Sequence, residues 1–142
     1  MKKVKFDKDI CMSCRACETA CGERHSDHVD WPDILLAEPR PIPRVRVSLK
    51  KGNPYLVRCQ FCKDPKCMEV CEFDAITQEE DGFVRFDPEK CTGCWECVEA
   101  CPFDCIEKDM VNEVAIRCDL CEEYENLACV TACPTDALTV KE

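Results

Sequence analysis

From Cys91 to Pro102 the chain reads C-T-G-C-W-E-C-V-E-A-C-P. Three thiols on one tight loop can grip one face of an iron–sulfur cube, while the fourth, beyond a helical turn, points away towards a second cluster. The pattern is not isolated. Sixteen of the 17 cysteines form four quartets, each opening C-x-x-C: Cys11, Cys14, Cys17, Cys21; Cys59, Cys62, Cys67, Cys71; Cys91, Cys94, Cys97, Cys101; and Cys118, Cys121, Cys129, Cys133. So much cysteine in 142 residues is far from globular usage, and something other than apolar burial must hold the chain together.

Disulfides are the first alternative. The chain opens M-K-K-V-K-F-D-K-D-I-C, with charges breaking every apolar run and no signal-peptide core, so a cytoplasmic, reducing location is expected. Clustered C-x-x-C pairs there read as metal ligands. Zinc is the rival metal, but zinc would need only two pairs per ion, and nothing would then require the third cysteine of C-x-x-C-x-x-C in quartets one and three. Pro102 and Pro134 after the last ligands also fit the iron–sulfur pattern. Four quartets predict four [4Fe-4S] clusters. No apolar stretch approaches the roughly 18 residues of a membrane span, so no direct membrane insertion is expected.

Acidic residues outnumber basic ones 29 to 19, a formal charge of −10. Four thiolate-ligated clusters would add on the order of −8. Nucleic acid and anionic membrane are therefore poor partners, and a basic patch on a protein is the complementary one.

Two blocks recur around the quartets. A leading block, F-D-K-D-I-C from Phe6 and F-D-P-E-K-C from Phe86, reads as a short strand feeding the first ligand. A trailing block, C-E-F-D-A-I from Cys71, C-P-F-D-C-I from Cys101 and C-P-T-D-A-L from Cys133, reads as last ligand, turn and strand start. Quartet one has a leading strand but runs from Cys21 into Gly22-Glu23-Arg24-His25, and quartet four supplies the missing trailing strand at Ala137 to Val140. The expected fold is α+β: two ferredoxin-like units, each for two [4Fe-4S] clusters, one inserted within the other, with a β-hairpin insert. The boundaries are 1–21 plus 107–142 for the split outer unit, 22–58 for the insert and 59–106 for the inner unit. Each cluster then takes three cysteines of one quartet and the last of its partner: Cys11, Cys14, Cys17 with Cys133; Cys118, Cys121, Cys129 with Cys21; Cys59, Cys62, Cys67 with Cys101; Cys91, Cys94, Cys97 with Cys71. Cys105 aligns with Ala75 and Ala137, a small apolar position beside a cluster, and is left out of the site.

In the insert, Glu38-Pro39-Arg40-Pro41-Ile42-Pro43 should run extended. It leads into an alternating strand from Arg44 to Leu49, a turn at Lys50–Asn53 and a returning strand from Tyr55 to Val57.

Nothing in the sequence reads as a substrate site of its own, so no enzyme activity is expected. The radical-forming spacing C-x3-C-x2-C is absent, and four glycines, Gly22, Gly52, Gly82 and Gly93, cannot write a dinucleotide or phosphate loop. Four protein ligands per cluster leave no open iron. His25 and His28 read as hydrogen-bonding or surface residues, and Trp31 and Trp95 as packing residues. Arg15, Lys63 and Lys66 lie inside loops one and two, where positive charge would raise a cluster's potential.

C-R-A-C-E-T-A-C-G-E-R-H-S from Cys14, E-P-R-P-I-P-R-V-R-V from Glu38, C-Q-F-C-K-D-P-K-C-M-E-V-C from Cys59 and C-D-L-C…A-C-V-T-A-C-P from Cys118 carry a resemblance. The chain resembles the four-cluster electron-transfer subunits related to the iron–sulfur subunits of dimethyl sulfoxide reductase and formate dehydrogenase. Within that group it is most similar to the CooF iron–sulfur partners of nickel carbon monoxide dehydrogenase. One departure is Glu72, where the family usually has proline after the ligand. The resemblance implies a relay of single electrons from a catalytic dehydrogenase to a hydrogenase, a flavin-dependent NAD(P) reductase or another acceptor. A variant of this reading gives the same role to formate dehydrogenase, a tungsten aldehyde oxidoreductase or hydrogenase; the alternatives from other classes are a free polyferredoxin and, more remotely, a zinc-stabilised adaptor.

Overall fold

A computed structural model describes residues 1–26, 30–38 and 40–141, with the backbone alone at Trp31. Along the described residues run β1 (Lys3–Phe6), α1 (Ala16–Arg24), α2 (Trp31–Leu36), β2 (Arg46–Lys50), β3 (Asn53–Val57), α3 (Lys66–Val70), β4 (Ile76–Gln78), β5 (Val84–Phe86), α4 (Glu96–Ala100), β6 (Glu107–Asp109), β7 (Val114–Ile116), α5 (Ala128–Ala132) and β8 (Leu138–Lys141). The strands make four two-stranded antiparallel ribbons, β1–β8, β2–β3, β4–β5 and β6–β7. Helix and strand content is mixed, in elements too short to be stable alone.

The recurring blocks become recurring geometry. Both leading strands stop where an aspartate side chain competes with the ladder: Asp7 Oδ1 accepts the Asp9 N–H at 3.0 Å, and Asp87 Oδ1 accepts the Glu89 N–H at 3.0 Å. The same aspartates donate their own N–H groups at 2.8 Å to the carbonyls of Ala137 and Ala75, one residue before a trailing strand. Three trailing turns each need a left-handed residue, and each has an aspartate there: Asp74 (φ 55°), Asp104 (φ 51°) and Asp136 (φ 55°).

The chain divides into two compact units. One holds Met1 and Arg58–Asp119; the other holds Lys2–Val57 and Leu120–Glu142. In the first, α3 packs on α4, and Ala75, Ile76, Phe83, Val84, Ile106 and Ala115 are buried with Cys59, Cys97 and Cys105. In the second, α1 packs on α5, β1 on β8, and Val45, Val47, Val57, Leu127, Ala128, Ala137 and Leu138 are buried. The apolar core is thin. Val84 is the one large side chain among the described residues that is buried completely.

Three features differ from the sequence expectation. Residues 107–119 group with the inner unit, not with 120–142, because β6 and β7 fold back as a local hairpin whose Asp109 Oδ1 accepts the N–H groups of Val111 (3.0 Å) and Asn112 (3.1 Å). The hairpin of the insert groups with the split unit instead of standing as a separate piece. Its strands are β2 and β3, and its turn is the pair Lys51 (φ 52°) and Gly52 (φ 79°), both left-handed as a twisted two-residue hairpin demands. The same insert also holds an unforeseen helix, α2, started by Pro32 in its first turn. Past its end the chain runs without helix or strand to Val45, as the prolines require, with Pro39 outside the described residues.

Candidate metal centres

Each cysteine loop is bent by residues that L side chains rarely tolerate. Ser13, Arg15, Phe61, Trp95, Leu120 and Cys121 have φ between 48° and 65°, and Gly93 has φ 72°. Of the eleven non-glycine residues with positive φ among those described, nine lie in cysteine loops or trailing turns. Each costs on the order of 1–3 kcal/mol and persists only where its surroundings demand it. Mixing left- and right-handed residues turns successive N–H groups to one side, a concavity that suits an anionic cluster.

The helices then aim the last ligands. Cys71, Cys101 and Cys133 all cap α3, α4 and α5 in extended conformation, with φ −80°, −68° and −69°. Pro102 and Pro134 impose that conformation on the residue before them. Cys71 adopts it beside Glu72, so the missing proline leaves the turn intact. Cys21 differs because α1 continues through it to Arg24, consistent with quartet one lacking a trailing block.

In the inner unit the thiols converge on two cavities. One is lined by Cys59, Cys62, Cys67 and Cys101, with Lys66, Val84, Cys105, Ile106 and Arg117. The other is lined by Cys71, Cys91, Cys94 and Cys97, with Phe73, Ala75, Ile76, Phe86, Trp95 and Ala115. Each ring thus joins three cysteines of one quartet to the last cysteine of the other. The electrostatics follow the same grouping, except that Cys67 of the first ring also acts on Cys97. Burial pushes Cys97 up to about 11, reinforced by the nearby charges of Cys91, Cys67, Cys94 and Cys71. Burial also raises Cys62 and Cys67, with Cys59 and Cys101 adding to both.

Cys105 and Cys59 act as a couple. The Cys105 thiol pulls Cys59 down to about 5, against burial and with help from the Arg117 guanidinium. The same bond, with burial and Cys101, drives Cys105 far above the thiol range and keeps it protonated. Cys105 Sγ lies 3.4 Å from Cys101 Sγ. It lines the first cavity as Ala75 lines the second, so the sequence alignment placed it beside a site.

In the split unit, α1 carries Cys17 and Cys21 against α5, which carries Cys129 and ends at Cys133. Burial raises Cys17 to about 11. At Cys133 burial opposes ionisation, but the N–H groups of Leu138, Thr135 and Ala137 outweigh it and hold the thiol low. Cys21 Sγ accepts the Arg44 N–H at 3.2 Å. Arg24 braces the long loop of quartet four, donating to Asn126 O (2.6 Å) and Asn126 Oδ1 (3.0 Å) and covering the Tyr124 ring at 4.5 Å. The boundary between the units falls within quartet four, between Asp119 and Leu120.

Of the residues set beside the ligands, His25 places Nδ1 2.8 Å from Cys21 O, and His28 lies outside the described residues. Trp95 lines the second cavity, with Lys108 Nζ 5.7 Å from its ring centre. Arg58 and Arg117, buried at 8% and 6% exposure, were missed. Their signal was available: R-C-x-x-C occurs twice, at the heads of quartets two and four.

The donor chemistry fits an iron–sulfur cluster: four thiols from two loops, an apolar wall, left-handed loop backbone and a buried cation against one sulfur. A 4Fe-4S dicluster domain model matches residues 53–142, and a 4Fe-4S binding domain model matches residues 8–24. The sequence is 33% identical over 140 residues to a subunit of the polysulfide reductase of Wolinella succinogenes, covering 94% of this protein and 72% of that one. It is 34% identical over 149 residues to electron transport protein HydN of Escherichia coli, covering 93% and 83%. It also matches UacF of Escherichia coli at 37% identity, but spans only 21% of that longer protein. In fold it is similar to the active site complex BamBC of benzoyl coenzyme A reductase, with TM-score 0.52, 22% identity, and coverage of 99% of this protein and 78% of that one. With the model match extending over more than half its length, the protein belongs to the 4Fe-4S dicluster domain family.

Proposed function

We propose that the protein is an electron-transfer subunit holding four [4Fe-4S] clusters, in two ferredoxin-like units of which one is inserted in the other. The observation that carries this is the pair of cysteine rings in the inner unit, each drawn from two quartets. By the same split-repeat logic, Cys11, Cys14, Cys17 with Cys133, and Cys118, Cys121, Cys129 with Cys21, hold the other two. Such clusters, when bound, supply one-electron carriers with no need for proton uptake. The protein's own residues hold them, keep water from their apolar faces and set their charge environment. With four thiolates per cluster no iron is open to substrate, so the protein has no reaction of its own.

A catalytic partner follows from that lack. Relatives named as a polysulfide reductase subunit and as an electron transport protein support a place beside a larger redox enzyme. The insert motif from Glu38 to Val47 supports nickel carbon monoxide dehydrogenase as donor, with a hydrogenase or a flavin-dependent NAD(P) reductase as acceptor. Formate dehydrogenase, a tungsten aldehyde oxidoreductase or hydrogenase would use the same relay. Among the described residues no helix is long and apolar enough to cross a membrane. The test is anaerobic purification from the native source. About sixteen irons per polypeptide with cubane spectra, and a co-purifying dehydrogenase, are expected; zinc without a visible chromophore would overturn the reading.

A further inference from the structure

Arg58 and Arg117 stand one residue before Cys59 and Cys118, in R-C-Q-F-C and R-C-D-L-C. A guanidinium keeps its charge at any physiological pH, so at 8% and 6% exposure each is a permanent cation withdrawn from water. Such a charge is tolerable only beside an anion. Arg117 is held at both terminal nitrogens and across one face. Its Nη1 lies 3.5 Å from Cys59 Sγ and 3.4 Å from Cys118 O, its Nη2 donates to Val84 O, and its Cζ lies 5.7 Å over the Phe61 ring, which stacks on Phe83 at 5.2 Å. In Arg58, Nε and Nη1 are buried and have no hydrogen-bond partner among the described residues. Two orphaned donors on the residue that precedes the ligand Cys59 in the chain fit an anion nearby.

Given the iron–sulfur assignment above, we propose that Arg117, supported by Arg58, sets the potential of the cluster held by Cys59, Cys62, Cys67 and Cys101, making it easier to reduce than the cluster held by Cys91, Cys94, Cys97 and Cys71. Reduction adds one electron and no proton, so the site gains a full negative charge. A fixed cation 3.5 Å from a ligand sulfur, in a low-dielectric wall, stabilises that product more than the oxidised state. Among the described residues no charged side chain lines the other cavity. Within the inner unit an electron therefore settles on the Cys59 site. Lys66 also lines the Cys59 cavity, but its side chain is 61% exposed and paired with Glu69, so water and salt screen it as they screen the exposed Arg15 and Lys63.

The test is dithionite titration of the whole protein, followed by electron paramagnetic resonance, with the Cys59 site identified as the component that Cys62→Ser removes. Arg117→Gln should lower that component's reduction equilibrium at least tenfold, about 59 mV for one electron, with iron content unchanged. Arg58→Gln should lower it in the same direction, Arg117→Lys should restore part of the loss, and the Cys91 component should stay in place. An unshifted Cys59 component in a fully loaded Arg117→Gln protein overturns the proposal while leaving the cluster assignment standing. Where Arg117→Gln fails to assemble the cluster, Arg58→Gln decides, and no shift there overturns the proposal too. Absence of iron from the native protein would instead sink the assignment itself.

Discussion

Cys105 Sγ stands 3.4 Å from Cys101 Sγ, in the position that Ala75 occupies beside the neighbouring site. Three aligned residues, Cys105, Ala75 and Ala137, are 5%, 2% and 2% exposed, so the position calls for a small side chain and not for a thiol. Cys105→Ala should keep every cluster and cost about 1 kcal/mol in stability. Iron analysis and a thermal melt check it; loss of a cluster would make Cys105 a ligand.

The two cysteine rings make a sharper forecast about pairing. Cys101 lies in the third quartet but lines the cavity of Cys59, Cys62 and Cys67, while Cys71 lines that of Cys91, Cys94 and Cys97. Cys101→Ser should therefore erase the same paramagnetic component as Cys62→Ser, and Cys71→Ser the same one as Cys94→Ser, each with loss of up to roughly four irons. Pairing within quartets would give the opposite match.

Most of this was legible because the fold is written in ligand spacing. The blocks around Phe6, Phe86, Cys71, Cys101 and Cys133 recur in sequence and recur in the turns of Asp7, Asp87, Asp74, Asp104 and Asp136. Local chemistry decides such turns, so pattern reading reaches them. The β6–β7 hairpin was not legible, because Glu107-Lys108-Asp109 has no apolar alternation and is a strand only through pairing with Val114–Ile116. The buried arginines escaped for a related reason: sequence treats every arginine as a surface residue, and only packing withdraws two of them.

Gly93 precedes Cys94 at φ 72°, and a Cβ there would lie 2.6 Å from the carbonyl oxygen of Glu113. Backbone on both sides leaves no flexible group to move aside. Gly93→Ala should destabilise the inner unit by about 1–3 kcal/mol and deplete the Cys91 cluster first. A loaded variant with an unchanged melting temperature would show that the loop relaxes freely. Gly52, open on all sides, is the control: its φ of 79° strains a replacement, but no ligand depends on it.

A thin core and strained loops together make metal part of the fold. Nine left-handed residues in cysteine loops and trailing turns raise the energy of the chain, and apolar burial alone has little to set against them. Chelation of iron under anaerobic conditions should abolish the cooperative melt and most far-ultraviolet dichroism, since ligation and folding are coupled. Retention of native dichroism after complete iron loss would assign the stability to packing.

Surface charge provides the last contrast. The Arg15 side chain is 65% exposed with Nε 3.7 Å from Glu18, and that of Lys66 is 61% exposed with Nζ 3.3 Å from Glu69. Both lie inside cysteine loops, where sequence alone expects them to raise potentials, yet solvent screening and a neighbouring carboxylate offset most of their field. Arg15→Gln and Lys66→Gln should each move any cluster by less than twofold in its reduction equilibrium, under about 20 mV, and the small effect should vanish in molar salt. A salt-resistant shift as large as that of Arg117→Gln would mean that position in the loop, not burial, decides which cations count.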